Sequence, residues 1–259
     1  MKKKHALLSI VGAAVISSCA YYGQEINDDT RIVELEDAIK DKMKSVENYE
    51  AVMKYHLFDQ YDGSENTGYD AETVYRIDKD SQRCLLVSAE QDKKKTSIAL
   101  YSVNDAEYGW VTYREVTPLE GEPYAEFAYR YDIPFNFVMP EISAPALGFF
   151  ANVFYPQSIG REITREFVNN SFKFYSKGEG NLTIEGVLEG EDSSSSAKNY
   201  IRSTYNDCIF ESAKKEAKLK TSNHTKEETI EVKFKKLDSL SISLPKDWKD
   251  KIKGYGIKA

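Results

Sequence analysis

Tyr49-Glu50-Ala51-Val52-Met53-Lys54-Tyr55-His56-Leu57-Phe58 is the stretch that decides the fold. Tyr49, Ala51, Met53, Tyr55 and Leu57 alternate with Glu50, Val52, Lys54, His56 and Phe58, the period of a strand whose two faces meet different surroundings. Similar runs follow at Thr73 to Ile77, Arg83 to Ala89, Ser97 to Val103 and Tyr108 to Val116. Their connectors are short and polar, Lys79-Asp80-Ser81, Asp92 to Lys95 and Asn104-Asp105, while Asp59 to Tyr69 reads as a turn or loop. Parallel strands need long crossovers, so tight links predict an antiparallel meander.

Upstream, Asp28, Asp29 and Thr30 are N-cap candidates for an amphipathic helix reaching about Val46. Ile32, Leu35, Ile39, Met43 and Val46 form its apolar stripe, and Lys40, Lys42 and Lys44 crowd its end, where the helix dipole favours cations. Such a short helix is marginal alone, so the stripe is expected to lie on the sheet.

Downstream, Ile163 to Val168, Ser171 to Ser176, Leu182 to Leu188 and Thr229 to Lys235 read as strands, the last with Ile230, Val232 and Phe234 facing one way. Glu189 to Asn199, with its serine run, reads as a loop. Tyr200 to Thr221 suits helix and strand equally, since Ala213, Ala217 and Leu219 are interleaved with Lys and Glu. Leu240, Ile242 and Leu244 lead to Pro245-Lys246-Asp247-Trp248.

The chain starts with Lys2, Lys3 and Lys4, an apolar run from Ala6, and Ile16-Ser17-Ser18-Cys19. A basic start, an apolar stretch and small residues make an export signal, too short to remain as a membrane span. The last four residues resemble the lipobox of bacterial lipoproteins, in which the cysteine thiol is acylated and the chain is cut before it. An ordinary signal cut after Ser18-Cys19-Ala20 fits the same residues. The lipobox reading divides the chain into a signal peptide (1–18), a tether (19–29) and one domain (30–259). Ala20 stands where an inner-membrane retention signal often carries Asp, so the expected address is the outer membrane, facing the periplasm. Two or three acyl chains anchor stably, at about 0.8 kcal/mol per buried methylene.

Composition narrows the class. Aromatics are 12%, with 18 Tyr and 12 Phe, so the chain can build a core and is not disordered. Net charge is −7, and the three leader lysines make the remainder more acidic still. Such a body repels phosphate backbones, which argues against a nucleic-acid partner. Cys84 and Cys208 remain besides Cys19. An exported compartment permits a disulfide between them, closing a long loop for ~4 kcal/mol, and two buried free thiols are the alternative.

The order of a helix running into Lys44-Ser45-Val46-Glu47-Asn48-Tyr49-Glu50-Ala51, a meander, apolar pieces, further strands and a final β pair ending in Ile242-Ser243-Leu244-Pro245-Lys246 resembles one superfamily. It is that of the periplasmic lipoprotein carrier and the outer-membrane lipoprotein receptor. The resemblance implies an α+β, mainly β fold: a strongly curved antiparallel sheet, an unclosed barrel, with an N-terminal helix and short helices on its concave face. It transfers no functional residue.

No catalytic motif is present: no Gly-x-Ser-x-Gly elbow, phosphate-cradling glycine loop or His-Glu-x-x-His run. His56 and His224 have no evident partners in sequence, so no enzyme, metal or cofactor is expected. The functional candidate is the apolar segment from Ile133 to Pro156, broken by Pro134, Pro140 and Pro145. In an open barrel Phe135, Phe137, Met139, Leu147, Phe149, Phe150 and Phe154 would line a mouth able to take acyl chains, or simply complete the core. Two functions stay open. One is a carrier or receptor for a lipid or lipoprotein acyl group; the other is a structural or sensory module that binds an envelope protein. Cys19→Ser is expected to abolish acylation and release the protein from membranes. Unchanged membrane partitioning of that variant would refute the acyl anchor.

Overall fold

The computed structural model describes residues 23–65, 67–78, 81–91, 93–130, 172–191 and 195–253. The elements are β1 (Gln24–Glu25), α1 (Asp29–Lys44), β2 (Asn48–Tyr61), β3 (Thr67–Asp78), β4 (Gln82–Gln91), β5 (Lys94–Asp105), β6 (Gly109–Thr117) and β7 (Tyr124–Arg130), then β8 (Phe172–Ser176), β9 (Leu182–Glu191), β10 (Ser195–Asn206), β11 (Ile209–Thr221), β12 (His224–Lys236) and α2 (Trp248–Lys253). The twelve described strands form one antiparallel sheet in the order β1-β8-β9-β10-β11-β12-β2-β3-β4-β5-β6-β7. It consists of two meanders, β2 to β7 and β8 to β12, joined where β12 pairs with β2. No described ladder joins β7 to β1 or β8, so the sheet is not closed into a barrel.

The predicted alternation holds in β2: Ala51, Met53 and Tyr55 are buried, while Lys54 and His56 are exposed. Across the ladders the same face carries Tyr75, Val87, Ile230, Val232 and Ala213, and this is the face that meets the helix. Helix α1 starts where its cap chemistry puts it. Asp28 accepts from the Thr30 amide at 3.0 Å, and Ser45 closes the other end, donating from its hydroxyl to the Lys42 carbonyl at 2.6 Å. Ile39 and Val46 are buried, and Ile32, Leu35 and Met43 pack against the core. The helix approaches the sheet mainly at β11, where the Met43 sulfur accepts from the Phe210 amide. We call this side the helix face and the opposite side the outer face.

Several elements differ from the sequence reading. Gln24 and Glu25, read as tether, pair with Ser176 and Tyr175, so the sheet begins before residue 30. Gly23 makes that approach possible, because a Cβ there would lie 2.2 Å from the Ser176 carbonyl oxygen and its φ is +96°. Strands β2 and β3 run deep into the segment read as a loop, and β7 is an additional strand. Strand β9 extends to Glu191 and β10 starts at Ser195, leaving only a short connector where a longer loop was expected. The ambiguous stretch is a β-hairpin, turned by Asp207 and Cys208 with φ of 50° and 57°, the two positive values of a type I′ turn. Among the described residues after β12 there is no final β pair. The chain crosses β2 and β4, with the Leu237 amide donating to the Asn48 carbonyl and the Ile242 amide to Gln82 Oε1. Helix α2 then packs on the outer face, where Lys251 lies over Phe127 and Trp248 meets Tyr108 edge-on. The expected strand at 163–168 and the short helices from the apolar segment lie outside the described residues.

Because Ile39 is 4% exposed within the helix–sheet contact, Ile39→Asp buries an unpaired charge. It is expected to destabilise by several kcal/mol, on the order of 3 or more. Thermal unfolding checks this; an unchanged transition would mean that α1 contributes nothing to the fold.

Candidate functional site

Cys19 and the seven apolar candidates, Phe135, Phe137, Met139, Leu147, Phe149, Phe150 and Phe154, lie outside the described residues. Of the two readings left open for the remaining cysteines, the structure has the free thiols: Cys84 and Cys208 are not bonded. Cys84 points to the outer face beside Arg76 and Tyr101, whereas Cys208 sits in the β10–β11 turn against the helix-face core, with β12, β2 and β3 between β11 and β4. Burial pushes the Cys84 thiol up to about 11, so little thiolate is available to start an exchange. The histidines each have a carboxylate partner. His56 Nδ1 is 2.7 Å from Asp70, and His224 Nε2 is 2.7 Å from Asp59 with its ring stacked on Tyr61.

The helix face carries polar groups where an apolar core alone would have none. Extending the alternation of β12 one step back from Ile230 places Glu228 on that face, and it is only 7% exposed. Glu228 Oε1 accepts from Lys215 Nζ at 2.8 Å, and Oε2 accepts a longer bond from the Tyr55 hydroxyl at 3.4 Å. The Tyr55 ring meets Tyr69 edge-on at 5.7 Å. The Tyr69 hydroxyl is buried without a hydrogen-bond partner, and burial raises its pKa. A carboxylate accepts about four hydrogen bonds and a phenol can donate one and accept more, so acceptor and donor capacity stays unused here.

Toward the other end of the same strands, Arg83 and Arg114 also face the helix side, with Ser102 and Thr112 between them. Rows of apolar residues separate the two polar groups, among them Leu85, Val87, Ala89, Leu100 and Val116, all buried. Ala71 and Ala89 are direct cross-strand partners, so small side chains meet on this face in the row next to Tyr69. The sequence held a signal for Glu228, namely the parity of Ile230, Val232 and Phe234.

The outer face is different. Lys54, His56, Asp70, Glu72, Glu90 and Lys95 line an open trough of about 620 Å³. Its cations are paired, Lys54 with Glu72 at 3.5 Å and Lys95 with Glu90 at 3.5 Å. Among the described residues there is no cluster able to hold a metal, and no helix is long and apolar enough to cross a membrane.

Lys215→Met leaves the Glu228 carboxylate buried without its cation and is expected to cost about 3 kcal/mol. Adding Glu228→Leu should restore most of the loss, because the unpaired charge goes with it. Urea unfolding of the two variants decides; equal losses would show that ion pairing is not what the site needs.

No family model and no curated protein matches this chain. Among solved structures it is similar to a DUF1329 family protein from Desulfovibrio piger, at 10% identity and a TM-score of 0.25, over 82% of this chain and 94% of that one. A likeness of that degree fixes neither fold nor function.

Proposed function

We propose that the protein is an exported lipoprotein, held at the outer membrane by acyl chains on Cys19, whose open sheet binds an apolar or acylated ligand on its helix face. One observation carries this reading: apolar rows with a pair of alanines at the Tyr69 end lie between two groups of incompletely satisfied polar atoms. Pockets for amphipathic molecules combine an apolar lining with a few placed polar groups. A purely structural core gains nothing from buried donors without acceptors. The carrier-like order of elements in the sequence agrees with it. An acidic body anchored by its own acyl chains would meet lipids without needing a basic membrane patch.

A second reading, a protein-interaction module, draws on the outer-face trough, whose mixed charges suit a polypeptide surface better than hydrocarbon. Binding of cis-parinaric acid to the detergent-free protein separates the two. The parent is expected to take up the probe with a rise in its fluorescence. Ala89→Trp should fold and abolish uptake, since the indole would occupy ligand space. No uptake by the parent, with Ala89→Trp unfolding as in an overfilled core, would overturn the ligand reading and leave the interaction module.

A further inference from the structure

Arg83 is the charge that packing explains least. It lies in β4 on the helix face, in register between Ile77 and Ser102. Its guanidinium sits over the Trp110 ring, 5.3 Å from the centroid. Its Nε is buried without a hydrogen-bond partner, and none of the ion pairs among the described residues involves it. Next to it the Ser102 and Thr112 hydroxyls share a bond of 2.6 Å, and Ser102 is fully buried. Arg114, on β6, also has a buried Nε without a partner, although Glu126 holds its far end and Tyr124 lies 5.8 Å away.

A guanidinium stays protonated at every accessible pH, so a buried unpaired N–H is a standing cost. The indole beneath Arg83 attracts the cation through its face and accepts none of the in-plane N–H groups. Arg76 provides the contrast within the same strands. It points to the outer face and gives its Nε to Glu50 at 2.6 Å, as a structural arginine does. The Nε–H of Arg83 is thus left without an acceptor among the described residues, and the planar fork it belongs to is matched to an oxyanion. Along β4 the next positions on this face are Leu85, Val87 and Ala89, an apolar track that ends roughly 20 Å from Arg83 at about 3.4 Å per residue.

We propose that Arg83, flanked by Ser102 and Thr112 and backed by Trp110, binds the anionic group of a ligand, a carboxylate or phosphate, whose hydrocarbon lies along Leu85, Val87 and Ala89. The site rests on the ligand reading above and gives it a head-group specificity: acidic lipids over neutral ones. Small free anions share the same chemistry.

The test uses the purified full chain, with oleate, oleyl alcohol and inorganic phosphate as probes, at alkaline pH where oleate is ionised. The parent is expected to bind oleate at least tenfold tighter than oleyl alcohol. Arg83→Gln should erase that preference while leaving oleyl alcohol binding as it was. Arg83→Lys should keep only part of it, because a point charge replaces a fork. Arg83-dependent binding of millimolar phosphate would assign the site to free anions, and its absence alongside a preference for oleate would assign it to lipid head groups. Equal affinity of the parent for oleate and oleyl alcohol, without phosphate binding, overturns the anion site and leaves the apolar-ligand reading intact. So does a preference that survives Arg83→Gln or, if that variant does not fold, one that Arg83→Lys retains in full. Absence of binding for all three probes overturns both readings.

Discussion

The ladder between β12 and β2 is the contact on which the rest depends. It pairs His224 with Tyr61 and runs without a register shift to Lys236 and Tyr49. Nearly every other ladder links neighbours in sequence and can form from a tight turn. This one joins the first long strand to the last and must bear the loop-closure entropy of the intervening chain. A slip of one residue would turn Ile230, Val232 and Phe234 toward the outer face and Glu231 and Lys233 toward the core. The apolar alternation of the two strands rules that out. The aromatic contacts of Phe234 with Tyr49 and Phe210 then tie both meanders together beneath α1.

That register also sets the chemistry of the helix face. Because Glu228 pairs with Leu57 and Ile230 with Tyr55, the carboxylate comes within reach of Lys215 and the Tyr55 hydroxyl. The same geometry, carried across β3 and β4, puts Ala71 beside Ala89 and Tyr75 beside Leu85. The outer face receives the complementary set, in which Lys54 meets Glu72 and Arg76 meets Glu50 in exposed or half-exposed pairs. Such pairs contribute modestly, with a typical exposed pair below about 1 kcal/mol. They keep that face solvated more than they hold the fold.

The strands that cover one apolar and one polar face were legible because their side chains alternate strictly, as at Tyr49 to Leu57. The hairpin of β10 and β11 was not. Lysine, glutamate and alanine favour a helix locally, and only pairing with β10 and β12 makes residues 209–221 a strand. Its one local signal was the Asn206-Asp207 pair at the turn. Whether Cys84 and Cys208 pair was not legible because sequence separation says nothing about sheet face: Cys84 lies on the outer face, whereas Cys208 packs from its turn against the helix-face core. The polar groups of the helix face were hidden for a related reason. Arg83 opens a strand and Glu228 sits in an acidic run, positions that read as solvated until the register of their neighbours is known.

Arg83 and Glu228 also give the helix face a direction. The arginine lies at the end of the face near Ile77 and Ser102, and the carboxylate lies at the other end beside Leu57 and Tyr69. Like charges repel strongly where water is scarce. An anionic head placed near Glu228 would face a carboxylate already committed to Lys215, whereas at Arg83 it would meet a buried Nε–H that has no partner among the described residues. The apolar rows between them offer hydrocarbon no such distinction, since burial depends on area and not on direction. The orientation of the proposed amphipathic ligand would therefore rest with the two ends: head toward Arg83, chain running past Leu85 and Val87 to Ala89, and the Tyr69 hydroxyl near the far end of the track.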